Sequence, residues 1–289
     1  MSTEVDLASA VGIPITLEQV VVGKHQINYA VAGRGEPLLL IHGANFGWGQ
    51  WYPNLKALAE QFTVYALDLP GAGRSSRVDY ATLDVEEDLL AVVENFIALK
   101  RWKRVSIVGA SIGGWIAVKI ALRHPEIVHK LVLVNSVGFA DYMGTIDKMI
   151  GWYPLARFLT RTVLKPRRDN KNIEKFLRNI FFNKAQALQP EFVEYFYETM
   201  SSSHNLLFIS RLTQLTKQLV VTHALPALPH QTLVVWGEQD RIMPLAKNAR
   251  NFHLIPGATV RLIHEAGHLP SLEQPAVFNS LITEFLTTT

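Results

Sequence analysis

Apolar and polar positions along this chain first read as strands. Leu17 to Gly23 and His25 to Val31 are rich in β-prone residues and flank a Gly23-Lys24 turn, the pattern of a hairpin. Further on, largely apolar runs at Pro37 to Ile41, Val64 to Leu69, Val105 to Gly109, Leu131 to Asn135, Thr232 to Trp236 and Val260 to Ile263 predict strands covered on both faces. Between them, Asp84 to Leu99 and Ile112 to Arg123 carry apolar residues at helical spacing. Asp84 is the expected helix cap, with Glu87 three residues on in the capping-box position. The alternation predicts an α/β protein, a mostly parallel eight-stranded sheet with helices on both faces.

The alternation stops between Phe139 and Leu225, where helical spacing dominates and Pro154, Pro166, Pro190 and Pro226 divide the stretch into short helices. An inserted helical cap over 139–225 is expected, between core segments 1–138 and 226–289. The insertion carries 12 Lys or Arg and 7 Asp or Glu, a net +5, while the rest of the chain is net −2. Arg157, Arg161 and Lys165 recur every fourth residue and share one helix face, opposite Leu155, Phe158, Leu159 and Val163. A solvated outer face explains this stripe, and weak peripheral contact with an anionic membrane is the sharper expectation.

Composition narrows the classes. With 48% hydrophobic and 18% charged residues over 289 positions, the chain is globular, with ample material for a core. Its charge of +3 offers no concentrated basic face for nucleic acid. The absence of cysteine excludes disulfides, zinc-thiolate sites and thiol catalysis, and leans the expected compartment towards cytoplasmic. The first fifteen residues have two acids, no base and no long apolar run, unlike a secretory signal, and no run approaches the ~20 residues that span a bilayer. Gly71-Ala-Gly73-Arg lacks the lysine and spacing of a phosphate loop, and no dinucleotide fingerprint or metal motif is found, so neither cofactor nor metal is expected.

The chemistry concentrates at Val105-Ser-Ile-Val-Gly109-Ala-Ser111-Ile-Gly113-Gly114, a strand running through Gly-x-Ser-x-Gly into a helix. Glycines at both flanks permit a strand-to-helix turn so tight that the serine stands exposed at a helix N-terminus. A serine hydroxyl needs a base oriented by a carboxylate. Asp240 lies just beyond strand Thr232 to Trp236 and His268 just beyond Val260 to Ile263, at the same sheet edge and in the order Ser, Asp, His. Glu238 and Asp141 are the competing acids. Of the ten histidines, His264 is still attached to its strand, and His42 precedes Gly43 in a tight turn that it is expected to hold.

With these motifs the sequence resembles a capped serine hydrolase of the α/β-hydrolase superfamily over nearly its whole length. His42-Gly43-Ala44-Asn45 is similar to the oxyanion loop, Asp68 to Ser75 to the loop after the fourth strand, and Gly109 to Gly114 to the nucleophile elbow. The resemblance implies a Ser111-His268-Asp240 triad, oxyanion donors on the backbone of Ala44 and Ile112, and a small-molecule ester, lactone or thioester as substrate. Asn45, Phe46, Trp48, Trp51 and Phe139 are the expected substrate-binding residues, with packing onto core or cap as the alternative for the aromatic ones. Cofactor-free carbon–carbon hydrolases of ring-cleavage products resemble the segment from Phe181 to Val193, but usually carry Asn beside the serine and Trp after the histidine, where this chain has Ala110 and Leu269. A ligand receptor that retains the triad is a further alternative. Oligomeric state has no signature in the sequence.

Overall fold

A computed structural model describes residues 3–44, 46–140, 158, 181–182, 189–199 and 202–288. Eight strands form one sheet: β1 (Thr16–Val22), β2 (His25–Gly33), β3 (Glu36–Ile41), β4 (Phe62–Leu67), β5 (Val105–Ala110), β6 (Val128–Val134), β7 (Gln231–Gly237) and β8 (Thr259–Ile263). The order is β1-β2-β4-β3-β5-β6-β7-β8, and only β2 pairs antiparallel with its neighbours. Each predicted strand is present, with ends shifted by up to three residues, as expected where hydrogen bonding rather than composition sets a boundary.

Strand alternation divides the core in two. Leu39 and Ile41 of β3, Ile107 of β5, Leu131 and Leu133 of β6 and Trp236 of β7 face one layer, while Leu38, Leu40, Val108, Val132, Val134 and Val235 face the other. All are buried, so the central strands read as continuous apolar runs.

From β3 the chain steps outward to β4, and from β5 it steps to β6 on the other side. The connections after β3 and β5 therefore diverge and leave a crevice at the carboxyl ends of these strands.

Helices cover both layers. α1 (Thr3–Ala10) and α2 (Tyr52–Leu58) lie in the first half of the chain, before α3 (Ala91–Lys100) and α4 (Ile112–Arg123). α1 is a departure from the expected strand-rich N-terminus. Its eight residues carry little apolar stripe, and Leu7 is buried by tertiary packing.

Asp84 caps as expected, accepting from the N–H groups of Glu86 and Glu87. The carboxylate that returns to its own N–H is Asp88 (2.9 Å), not Glu87. The opening turn, Val85–Leu90, is π-wound and one residue longer, which moves the reciprocal partner along by one.

Between β6 and β7 the described residues form helices and no strand: α5 (Pro190–Thr199), α6 (Ser202–Gln214) and α7 (Thr216–Leu219). Pro190 opens α5, where its missing N–H costs nothing. The basic stripe Arg157, Arg161, Lys165 lies outside the described residues; its neighbour Phe158 is exposed. After β7 come α8 (Leu245–Asn248), and beyond β8, α9 (Pro270–Glu273) and α10 (Pro275–Thr287). No helix among the described residues is long and apolar enough to cross a membrane.

Candidate active site

Ser111 is the single residue between β5 and α4, with φ 51° and ψ −118°, a conformation that L-residues rarely adopt. The turn closes because glycines stand where a side chain would collide: a Cβ on Gly109 would strike the carbonyl of Gly113, and one on Gly113 the carbonyl of Ile41. The elbow is anchored to β6, with Ser111 N–H donating to Val134 O (2.9 Å) and Val137 N–H to Ser111 O (3.0 Å). Ile112 opens α4, so its N–H has no carbonyl one turn back to bond.

The loop after β3 comes against the elbow, and a Cβ on Gly43 would sit 3.2 Å from Ser111 Cβ. Buried Gln50 accepts from Gly43 N–H (2.8 Å). His42 accepts from Leu69 N–H at Nε2 (2.9 Å) and donates from Nδ1 to Gly43 O, tying this loop to the one after β4. Burial outweighs that donated bond and lowers the His42 pKa to about 4, so the ring is a neutral brace. Ala44 follows, half-buried, while Asn45 lies outside the described residues.

On the other side of the crevice, His268 Nδ1 lies 2.9 Å from Asp240 Oδ2. With Nδ1 donating, Nε2 is left with a lone pair. Asp240 Oδ1 accepts from the N–H groups of Ile242 (2.8 Å) and Met243 (2.8 Å), and Oδ2 also accepts from Asn135 Nδ2. Burial favours the neutral acid, but the His268 charge and hydrogen bond, the Met243 N–H and the Asn135 amide outweigh it and hold Asp240 below the usual carboxylate range. Burial would lower His268, yet the Asp240 charge and hydrogen bond and the nearby Glu273 charge raise it above an ordinary histidine. Glu238, the local competitor, pairs with exposed His264 (2.8 Å). Asp141 lies outside the described residues.

The aromatic residues expected over the nucleophile are buried against other rings. Trp51 is enclosed beside Phe278 of α10, and Phe139 stands edge-on to Trp236 and Phe252. Phe46 meets Phe196 of α5, and Trp48 meets Tyr195 of the same helix while its Nε1–H donates to Glu4 of α1 (2.8 Å). Large rings gain most when both faces are covered, and their position in a loop cannot show which element covers them.

Sequence reasoning missed several buried polar residues that hold these loops. Glu273 accepts from the N–H groups on both sides of His268, Gly267 (2.8 Å) and Leu269 (3.0 Å), and from Phe182 N–H (2.7 Å). Asp68 accepts from Trp48 N–H (2.6 Å), Asn28 Nδ2 (2.8 Å) and Arg74 N–H (2.9 Å). A polar residue at a strand's carboxyl end, such as Asn135, was the available signal. Among the described residues, no group of three or more His, Asp or Glu gathers as a metal site would need.

Comparison with known proteins places the fold. The family model for the alpha/beta hydrolase fold matches residues 36–275. A 2-hydroxymuconate semialdehyde hydrolase from Pseudomonas sp. (strain CF600) is 29% identical over 280 residues, covering 93% of each chain. The crystal structure of a bacterial membrane phospholipase A, described as a virulence factor, superposes with a TM-score of 0.78 at 26% identity, covering 98% of this chain and 91% of that one. A 2-hydroxy-6-oxo-6-phenylhexa-2,4-dienoate hydrolase from Rhodococcus sp. strain RHA1 superposes with a TM-score of 0.79 at 23% identity, covering 96% and 100%.

Proposed function

Since the chain belongs to the alpha/beta hydrolase fold family, we propose that it is a serine hydrolase that cleaves a carboxylic ester, lactone or thioester through an acyl-enzyme. The observation that carries this reading is Ser111 in its strained turn at a helix N-terminus, with a histidine across the crevice whose Nδ1 is engaged by a buried carboxylate.

Ser111 attacks the substrate carbonyl, and the free Nε2 of His268 accepts its proton. Asp240 keeps the ring in the tautomer that leaves Nε2 unprotonated and stabilises the cation that forms. The N–H groups of Ala44 and Ile112 receive the developing oxyanion, the latter aided by the α4 dipole. His268 then protonates the leaving group and activates water for deacylation. In this reading the insertion serves as a cap, with α5 docked on the aromatic loop after β3, and the substrate is a small molecule.

Ester chemistry is preferred because the neighbours of nucleophile and base, Ala110 and Leu269, are apolar and buried, where carbon–carbon hydrolases usually carry Asn and Trp. The second reading, hydrolysis of a carbon–carbon bond in a ring-cleavage product, draws on the likeness to the 2-hydroxymuconate semialdehyde hydrolase.

Steady-state assays on a panel of p-nitrophenyl esters, lactones and ring-cleavage dienols, with Ser111→Ala as control, test both. Esters should turn over and dienols should not, and the alanine variant should lose labelling by a fluorophosphonate and several orders of magnitude in kcat. Turnover confined to dienols would establish the second reading, and an alanine variant as reactive as the parent would refute both.

A further inference from the structure

Asn135 directly follows β6 with φ 42°, fully buried, in the left-handed region that asparagine tolerates better than most side chains. Its neighbour Val134 accepts from Ser111 N–H, so the residue sits directly beside the elbow. Its amide reaches three places on the opposite wall. Nδ2 donates to Asp240 Oδ2, the same oxygen that accepts from His268 Nδ1, and lies 3.4 Å from the carbonyl of Gly267, next to His268. Oδ1 accepts from Gly237 N–H (3.2 Å), at the start of the acid's loop, and the backbone N–H of Asn135 donates to Val235 O (3.0 Å).

We propose that Asn135 is a positioning residue that sets the acid and base loops at a fixed distance and tempers Asp240 by sharing Oδ2 with His268. The proposal rests on reading Ser111, Asp240 and His268 as a triad. A carboxylate oxygen with two donors holds its charge less available to either, so the amide limits how strongly Asp240 stabilises the imidazolium. Without it, Ile242 and Met243 still hold Oδ1, and Oδ2 serves His268 alone. The His268 cation is then favoured, while the loops that carry acid and base lose their common brace. Among the described residues, the other charge facing His268 is Glu273, which acts equally with or without Asn135.

Asn135→Gly removes the amide and keeps a residue at ease with positive φ. NMR titration of His268 in parent and variant reads the coupling directly. The His268 midpoint should rise by roughly one pH unit, and the acid limb of kcat/KM should move with it while kcat falls about tenfold to a hundredfold. An unmoved or lowered midpoint overturns the proposal, whatever happens to the rate. Because the midpoint does not depend on turnover, a protein that hydrolyses none of the panel but shows the shift loses only the hydrolytic reading. If the variant does not fold, the unmodified protein gives the answer: the Asn135 side-chain amide resonance should titrate with the His268 midpoint, and a resonance flat across that range overturns the proposal.

Discussion

Two carboxylates two residues apart have different fates because of their surroundings. Asp240 is buried among donors and faces His268, whereas Glu238 is exposed and pairs with exposed His264. Asp240→Asn should therefore slow kcat by up to ~10⁴-fold, by favouring the wrong histidine tautomer, while Glu238→Gln leaves kcat within a few-fold. Steady-state kinetics of the pair check this, and a dead glutamine variant would reverse the assignment. The His268 pKa lies above the ordinary value of about 6.5. Only the neutral ring accepts the Ser111 proton, so kcat/KM should rise with pH along one limb whose midpoint exceeds that value. A pH–rate profile with its midpoint below it would contradict the arrangement. The order Ser111, Asp240, His268 was legible in the sequence because each follows a strand closed by a short turn. Asn135 was not, since it acts on Gly237 and Asp240 of a distant loop, and Glu273 and Gln50 were not, since a side chain bonding a backbone N–H a few residues away leaves no periodic mark.

At the scale of elements, α1 shows what a weak local pattern hides. Buried Glu4 accepts from Asn28 Nδ2 (2.8 Å) and Trp48 Nε1 (2.8 Å) and pairs with Arg74 (2.6 Å), which also approaches Glu198 of α5. A helix with little amphipathic signal thereby joins the sheet, the loop after β3 and the insertion. Glu4→Ala strands the Trp48 indole N–H in the interior, a cost of about 1–3 kcal/mol, and should lower the urea midpoint more than Glu4→Gln, which keeps an acceptor. Equal midpoints for the two variants would show that α1 is held by Leu7 alone. By contrast, α4 was readable to the residue, because its apolar stripe and glycine-marked start are local. The aromatics of the loop after β3 were not, because a ring's environment is supplied by whichever helix packs against it.

Across the whole molecule, the last helix is fastened to the sheet by a buried charge. Lys130 in β6 donates to the carbonyls of Phe285 (2.8 Å) and Thr288 at the end of α10. Burial, then the charge of Arg104, hold its pKa below the ordinary lysine value. Lys130→Met keeps the volume and removes the donor, so thermal unfolding should show a loss of about 1–2 kcal/mol with kcat/KM unchanged. A fall in kcat/KM with unaltered stability would place α10 in the catalytic apparatus instead. By itself, the sequence determined the strands, the mostly parallel α/β class and the positions of Ser111, Asp240 and His268 just beyond three of those strands. These depend on periodicity and on glycines within a few residues, which are local properties. Only the tertiary structure decided which carboxylate meets His268, which rings the aromatic residues meet, and which buried amide links the loops, because each depends on side chains brought together from separate elements.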